Sequence, residues 1–286
     1  MSPPHTPIPH IIHQSWKTVN LPVKFQKWQT SWRKHHPGWE YRLWTDDDNM
    51  RFCEEHYPWF LERFKSYPQN INRADAVRYM YLHKVRLSHA TLLGHAECPA
   101  TLTLASRTLQ FGGVYADLDV ECLKPHEPIA QLGGIVMPLM SYDYNFEHNI
   151  PNAWMASAPG HPFWIYLLER MNKMKLEGGV EAATGPVVLY RALREFETKL
   201  YNETMPPITY LSRELIFPYD WHNSQPYSTF CSSQSAFINT TRCKQTIDPD
   251  HRAYTITYWS HSWGDGDALI SLPEGHHLTP KQIPQQ

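Results

Sequence analysis

The sequence lacks long apolar runs and any strong excess of one charge. Its longest uninterrupted hydrophobic stretch runs only from Phe163 to Leu168, whereas a membrane-spanning helix needs about 18 such residues. The first ten residues do not show the basic and then apolar pattern of a signal peptide. The 26 Lys and Arg residues are balanced by 28 Asp and Glu residues, which argues against a nucleic-acid-binding surface. These features predict a soluble, cytosolic protein whose ligand is small.

Cysteine is also scarce, with five residues among 286. The five include no CxxC pair, and the 17 histidines form no HExxH motif, so a zinc site is not expected. Cys231 and Cys243 lie in one polar segment, where they either form a disulfide in an oxidising compartment or remain thiols. Two N-glycosylation sequons, at Asn202 and Asn239, matter only in a secretory lumen. The compartment is therefore left open by these residues.

Hydrophobic and aromatic residues make up 42% and 13% of the chain, as expected of a folded protein. The alternation of predicted strands and helices is typical of an α/β fold with a mostly parallel sheet. No repeat or linker divides the chain, which predicts a single domain over residues 1–286. Apolar periodicity predicts strands at residues 8–16, 39–44 and 253–259, and helices at residues 23–36, 51–56, 71–84, 162–175 and 186–201.

The strongest chemical signal is the segment FGGVYADLDVEC at residues 111–122. Apolar residues alternate with polar ones after the Gly-Gly pair, which predicts a strand with Asp117 and Asp119 on one face. Two carboxylates at the end of a buried strand are costly without a partner such as a cation. They can hold a hard divalent cation, with a diphosphate completing its ligand shell. Such a cation neutralises a leaving nucleoside diphosphate in sugar transfer.

The Asp-x-Asp spacing by itself carries little weight, because it occurs at three other places in this chain. What distinguishes the pair at 117 and 119 is the apolar alternating strand before it. The other pairs are interpreted as turn, helix-cap or solvated-loop residues: Asp46/Asp48, Asp248/Asp250 and Asp265/Asp267.

A second polar pair lies in the predicted helix that contains the letters NRADAVRY, residues 72–79. Asp75 and Arg78 are three residues apart and therefore share one helix face. They form either an ordinary ion pair within the helix or a binding site. In the second case the carboxylate accepts sugar hydroxyls, and the guanidinium holds the sugar or its diphosphate.

Together these segments resemble glycosyltransferase family 32, which includes fungal inositol-phosphorylceramide mannosyltransferases and the initiating α-1,6-mannosyltransferase. The resemblance extends over most of the chain, and the combination of motifs is much more specific than any one of them. It implies a GT-A fold, in which a single Rossmann-like domain has a mostly parallel central sheet. The matching stretches are IPHIIHQSWK, WEYRLWTDDD, INRADAVRYMYLHK, FGGVYADLDVECLKP, MASAPGHPF, ATGPVVL and YWSHSWG.

The same resemblance implies roles for individual residues. For two of them a purely structural interpretation is also open. Trp16 is alternatively a core tryptophan, and Thr184-Gly185-Pro186 is alternatively a helix N-cap followed by proline. Catalytic and metal-binding roles fall to Asp117 and Asp119, with His261 as a further metal ligand. Donor-binding roles fall to Trp16, Asp75, Arg78, Tyr115 and Trp263, and acceptor roles to Thr184, Gly185 and Pro186.

The implied activity is a metal-dependent transfer of mannose from GDP-mannose with retention of anomeric configuration. The expected cofactor is Mn²⁺, or else Mg²⁺, and the acceptor is an inositol-phosphorylceramide or a glycan. The resemblance places the enzyme in the Golgi or secretory lumen, with a membrane-anchored regulatory subunit as a further partner. The alternatives are a nucleotide-sugar-binding pseudoenzyme and a metal-dependent phosphodiester hydrolase, which usually has more His and Asp ligands.

The chain departs from the family between the helix and the acidic strand. Asp75 and Asp117 are 42 positions apart here, against about 16 in the family, and removal of residues 85–110 restores that spacing. The joined chain would place Gly112 just after the helix, where a left-handed glycine is favoured. The segment begins with Val and ends with Gln, residues whose codons fit intron borders. It is therefore interpreted as a retained intron, and otherwise as a surface lid.

Overall fold

The computed structural model describes residues 6–84, 111–220, 227–231 and 238–259. Among these residues the larger sheet has six strands in the order β2-β1-β3-β6-β5-β7, and a smaller sheet pairs β4 with β8. The strands are β1 (Ile11–Ser15), β2 (Glu40–Trp44), β3 (Gly113–Ala116), β4 (Val120–Cys122), β5 (Ile135–Pro138), β6 (Trp154–Ser157), β7 (Ile208–Leu211) and β8 (Thr255–Thr257).

The larger sheet is mixed but mostly parallel. β1 runs parallel to β2 and β3, and β5 runs parallel to β7. β6 is antiparallel to both of its neighbours, β3 and β5. The predicted α/β class with a mostly parallel sheet is confirmed, and the arrangement is consistent with a GT-A-like fold.

The helices cover both faces of this sheet. The helices predicted from periodicity are confirmed, with ends that differ by a few residues. In the described residues they are α1 (Val23–His35), α2 (Asp46–His56), α3 (Leu61–Ser66), α4 (Asn70–His83), α5 (Glu127–Ala130), α6 (Pro162–Lys173), α7 (Gly179–Ala183), α8 (Pro186–Lys199), α9 (Arg213–Ile216), α10 (Ser228–Cys231) and α11 (Thr240–Ile247), with a 3₁₀ turn at Pro58–Phe60.

Strand residues alternate between two buried layers. Tyr115 and Met155 face a core layer that includes side chains of α4, α6 and α8. Their neighbours Val114 and Ala156 face a second layer on the other side of the sheet, which includes Trp32 of α1. Because both faces are covered, every residue of the central strands β3, β5 and β6 is buried, and these strands are mostly apolar on both sides.

Helix α4 lies in the interior, and every residue from Asp75 to His83 is buried. A helix that is buried on all sides is normally apolar all round. α4 nevertheless carries Asp75 and Arg78, and both side chains are almost completely enclosed. Their polar partners therefore decide what this helix can do.

The end of α4 contacts the start of the acidic strand. The Gly112 amide donates a hydrogen bond of 2.9 Å to the Tyr81 carbonyl. Gly112 has a φ of +80°, and a Cβ atom there would lie 2.7 Å from the Ser157 carbonyl oxygen. A left-handed glycine whose amide bonds back to the last helical turn is a common helix C-terminus. In this chain the C-cap residue of α4 is Lys84, whose amide donates to the Met80 carbonyl; the capping role of Gly112 in a chain joined without residues 85–110, which lie outside the described residues, stays a prediction.

Two further features concern the compartment. Cys231 and Cys243 form a disulfide between α10 and α11, which decides between the two alternatives for this pair. No helix in the described part of the chain is both long and apolar enough to cross a membrane.

Candidate active site

A cavity of about 580 Å³ lies beside the carboxyl ends of β1 and β3. This is the edge where ligands usually bind in open α/β sheets, and the volume suits a small organic ligand. Thr184 is the predicted site residue in the described range that does not line it. The predicted residues that do line the cavity are Trp16, Asp75, Arg78, Tyr115, Asp117, Asp119, Gly185 and Pro186.

Arg78 joins the two acidic motifs on the floor of this cavity. One guanidinium nitrogen, Nη2, lies 3.0 Å from Oδ1 of Asp75. The other, Nη1, lies 3.1 Å from Oδ1 of Asp117 and donates 2.9 Å to the Asn152 carbonyl. The interpretation of Asp75 and Arg78 as an ion pair is thus confirmed, and because the pair lines the cavity, its binding role stays a prediction.

Tyr115 packs its ring against the same guanidinium. The centre of the Arg78 guanidinium lies 4.5 Å from the centroid of the Tyr115 ring, a distance suited to a cation–π contact. The Tyr115 hydroxyl donates 2.7 Å to Oδ1 of Asp117. The aromatic residue of the strand thereby orients both members of the buried ion pair.

Burial and ion pairing shift the pKa values of these groups in opposite directions. Burial raises the pKa of Asp117 to about 6, although Arg78 opposes the shift. Burial also raises the pKa of Asp75, again against Arg78. The pKa of Arg78, which burial by itself would lower, lies above its ordinary value because Asp117 and its other acidic neighbours favour the cation. The floor therefore holds one fixed positive charge between two carboxylates.

Asp117 and Asp119 are two of the carboxylates that line the cavity. About a third (32%) of the Asp117 side chain is exposed, and Asp119 is half-buried two residues later. The Gln14 side chain and the Val120 amide both donate to the Asp117 carbonyl, at 3.2 Å and 3.1 Å, and so hold the turn between them. Two oxygen ligands with access to solvent suit a hard divalent cation.

Asp75 is held by a network that the sequence did not reveal. Its Oδ1 accepts 3.0 Å from the Asn152 amide, and its Oδ2 accepts 3.1 Å from the Thr184 hydroxyl. Asn72 donates 3.0 Å to Thr184 in turn. Thr184 therefore positions Asp75 instead of lining the predicted acceptor side. The alternative interpretation of this segment, a helix N-cap followed by proline, is confirmed, with Gly185 as the N-cap residue and Pro186 as the first residue of α8.

Aromatic side chains form part of the cavity wall. Trp16 is half-buried and contacts Phe25 edge-on, with ring centroids 5.0 Å apart. It packs on α1 and also lines the cavity, and its role in donor binding stays a prediction. Trp259 lines the cavity as well. The predicted roles of His261 and Trp263 lie outside the described residues.

Two of the other Asp-x-Asp pairs have structural explanations. Asp48 forms a capping box with Thr45 at the start of α2, and Asp248 accepts the backbone amides of Arg252 and Ala253 in a turn. The half-buried Asp46, however, lines the cavity. Asp46 and Asn152 are thus among the lining residues that sequence reasoning did not assign to the site. Asp46 belongs to an Asp-x-Asp pair that was interpreted as a turn, helix-cap or solvated-loop pair, and no local motif marks Asn152.

Known proteins were compared with this chain. Residues 22–85 match the family described as "Glycosyltransferase sugar-binding region containing DXD motif". The chain is 33% identical over 169 residues to inositol phosphoceramide mannosyltransferase 1 of Schizosaccharomyces pombe, covering 58% of this chain and 43% of that protein. It is 31% identical over 233 residues to inositol phosphoceramide mannosyltransferase 3 of the same organism, covering 76% and 56%.

The chain is thus similar, over these segments, to glycosyltransferases that contain a DXD motif. The predicted resemblance is thereby confirmed, and the chain spans about half the length of the two relatives. Among solved structures it is similar to the PaToxG glycosyltransferase, with a TM-score of 0.44 and 17% identity over 68% of this chain and 72% of that one.

Proposed function

We propose that the protein is a metal-dependent, retaining glycosyltransferase that takes mannose from GDP-mannose. The observation that carries this proposal is the cavity floor, where Arg78 joins Asp75 to Asp117 and Asp119 stands beside them. The charged groups of the floor suit an anionic donor whose sugar is bound by a buried carboxylate. The similarity to inositol phosphoceramide mannosyltransferases supports mannose as the sugar and inositol phosphoceramide as the acceptor, and a glycan is the alternative acceptor.

Asp117 and Asp119 are the residues that would hold the divalent cation, Mn²⁺ first and Mg²⁺ second. Carboxylate oxygens are the ligands that both ions prefer. When bound, the ion would neutralise the charge that develops on the departing nucleoside diphosphate. Arg78 lies 3.1 Å from Asp117 and supplies a second, permanent positive charge on the same side of the cavity.

Asp75 is suited to the donor sugar. Three neighbours already fix its carboxylate, yet each oxygen of an ionised carboxyl group can accept two hydrogen bonds. Oδ2 accepts a hydrogen bond from the Thr184 hydroxyl and lies close to Gly185, where a Cβ atom would be 3.5 Å away. We propose that a sugar hydroxyl donates to this oxygen. Such contacts stabilise charge and position without a conventional general base.

A donor panel tests the activity. Purified protein with Mn²⁺ is given GDP- and UDP-sugars, with and without an inositol phosphoceramide acceptor. We expect transfer with GDP-mannose and a loss of about 100-fold or more in Asp117→Asn. Asp250→Asn, which changes an exposed turn residue, serves as the matched control and should keep full activity.

The same panel separates the alternatives. A pseudoenzyme would bind donor without releasing sugar, and a phosphodiester hydrolase would cleave simple diesters as well as sugar nucleotides. Either result, or sugar transfer that survives Asp117→Asn, would contradict the proposal.

We also propose that the protein works in a secretory compartment such as the Golgi lumen. The Cys231–Cys243 disulfide supports an oxidising environment, and Asn202 and Asn239 of the sequons are exposed. Glycosidase treatment of the protein from its native host should increase its gel mobility, and unchanged mobility would count against this location. A membrane-anchored regulatory subunit stays a prediction, tested by affinity purification from detergent extracts.

Residues 85–110 are proposed to be an insertion into an otherwise ordinary transferase domain. If Lys84 were followed directly by Phe111, the 2.9 Å bond from Gly112 to Tyr81 would be a standard helix C-terminal contact. The family match also ends at residue 85. Transcript sequencing decides the origin, because mature messages that carry these codons would exclude a retained intron. A variant lacking residues 85–110 is expected to fold and keep the donor site.

A further inference from the structure

A second cluster of polar side chains lies outside the cavity lining. It consists of His36, Cys122 and His126, which are all buried. His36 follows α1, Cys122 ends β4, and His126 precedes α5. The sequence predicted no zinc site because these residues come from two distant segments, and only the fold brings them together.

The potential ligand atoms of the cluster converge. Nε2 of His36 lies 3.1 Å from Nδ1 of His126, and Sγ of Cys122 lies 4.0 Å from the same Nδ1. One ligand atom from each residue lies within 4.8 Å of the other two. In a tetrahedral zinc site, bond lengths of about 2.0–2.3 Å place such atoms roughly 3.3–3.6 Å apart. Shifts of about 1 Å or less would therefore complete a site.

Nδ1 of His36 makes the kind of hydrogen bond that the second ring nitrogen of a metal-binding histidine usually makes. It donates 2.9 Å to the Trp32 carbonyl, and Nε2 of His36, which faces His126, accepts 2.9 Å from the His126 backbone amide, a bond that metal binding would replace. Metal ligands of this type usually donate their other ring N–H to a carbonyl or a carboxylate. Trp32 and Trp154 also pack against His126, and such an apolar shell limits solvent access to a metal.

Hydrogen bonds among the described residues leave one buried polar atom of the cluster without a partner. Nδ1 of His126 lies 3.0 Å from the Lys124 carbonyl oxygen and can donate to it. Its other nitrogen, Nε2, has no hydrogen-bond partner among the described residues, although the ring is fully buried. Burial lowers the pKa of His126 to about 3 and raises the pKa of the Cys122 thiol above its ordinary range. Without a cation the three groups are therefore neutral.

We propose that His36, Cys122 and His126 bind a borderline divalent cation of the Zn²⁺ class. A thiolate with two imidazoles suits this class, whereas Asp117 and Asp119 suit hard ions. Binding releases the Cys122 thiol proton to solvent, while the proton on Nδ1 of His126 moves to Nε2. No electron transfer is involved. Water, or the nearby Lys124 carbonyl, takes the fourth position.

The position of the cluster gives the site a structural role. A bound ion would tie the end of α1 to β4 and to the segment before α5. β4 begins at the residue after Asp119, so the ion would anchor the strand that follows the acidic pair. This inference does not depend on the proposed transferase activity.

Cobalt serves as the probe, because thiolate-bound Co²⁺ absorbs light whereas Zn²⁺ does not. The full chain, stripped of metal, is titrated with Co²⁺, and a thiolate-to-cobalt charge-transfer band should reach saturation at about one equivalent. Zn²⁺ should abolish the band, and Mn²⁺ should not. Cys122→Ser should lose it, while Cys53→Ser, which changes the other buried free cysteine in the described range, should keep it.

Thermal unfolding provides a second measurement. Zn²⁺ in about 100-fold excess over its dissociation constant should raise the Tm of the wild type by about 5 °C or more, and leave Cys122→Ser unchanged. If circular dichroism shows that Cys122→Ser is unfolded, His36→Gln replaces it with the same expected losses. The proposal is overturned if the wild type shows no band and no rise in Tm, or if the band persists without Cys122 or His36.

Discussion

The cavity floor and the buried histidines show two opposite effects of the same burial. On the floor, burial raises the pKa of Asp117 to about 6. In the core, burial lowers the pKa of His13 to about 3. Carboxylates keep a charge where Arg78 compensates them, whereas imidazoles become neutral where aromatic rings surround them. Of these buried groups, those on the cavity floor keep their charge, because the fold provides an opposite charge and an opening to solvent there.

His13 illustrates the neutral environment. Its Nε2 donates 2.9 Å to the Gly112 carbonyl, and its Nδ1 accepts 3.1 Å from the Trp44 indole. The ring stacks on Tyr81 with centroids 5.4 Å apart. Both nitrogens are satisfied by neutral partners, so a proton gained here would lack any compensating anion.

The largest expected effect is the loss of the charge between the two carboxylates. Arg78→Met should lower the free energy of unfolding by about 3–5 kcal/mol, because two buried carboxylates lose their partner. Sugar transfer should be lost as well. Urea unfolding measures the first effect. A loss below about 1 kcal/mol would mean that the ion pair is not the main support of the floor.

Arg191→Met is the matched control for this change. Arg191 pairs with Glu147 on the surface, where both side chains are about half exposed (51% and 43%). An exposed pair contributes about 1 kcal/mol or less, so this variant should stay close to the wild type.

A smaller loss is expected from Asn152→Ala. The Asn152 amide donates to Asp75 at 3.0 Å and to the Tyr79 hydroxyl at 3.1 Å. Its removal should cost about 1–3 kcal/mol of stability, since buried polar atoms are left unpaired, and should raise the KM for the donor. Asn145→Ala, an exposed change in the same loop, should do neither. Equal effects in the two variants would contradict the positioning role of Asn152.

The buried histidines predict acid sensitivity of a definite sign. His13 has a folded pKa of about 3 against an ordinary value of 6.5, so between these values the unfolded chain binds more protons. Stability is therefore lost as the pH falls from about 6.5 to about 3, by up to about 1.4 kcal/mol per pH unit. In His13→Gln this contribution is absent. Its destabilisation relative to the wild type should shrink as the pH falls, and a pH-independent difference would contradict the assignment.

Asp117 predicts the opposite sign and a smaller effect. Its folded pKa of about 6 exceeds the ordinary 3.8, so between these values the folded chain binds more protons and stability falls as the pH rises. The effect is moderated because 32% of the side chain is exposed. With metal ions chelated, Asp117→Asn should gain stability relative to the wild type between pH 4 and pH 6. A change in the other direction would show that Arg78 outweighs burial at this site.

Much of this molecule follows from local sequence. Apolar periodicity within a few residues predicts α1, α4 and α8, because a helix face or strand face is defined by neighbours along the chain. The Gly-Gly pair and alternating strand before Asp117 mark the acidic site for the same reason.

Contacts between distant segments required the tertiary structure. Arg78 meets Asp117, Asn152 and Thr184 meet Asp75, and none of these pairs shares a local pattern. Such contacts arise when buried polar groups must find partners during packing, wherever in the chain the partners lie. The sequence by itself therefore determined the elements and the acidic motif. The packing of α4 against β3 and β6 decided which charges stand together on the floor of the cavity.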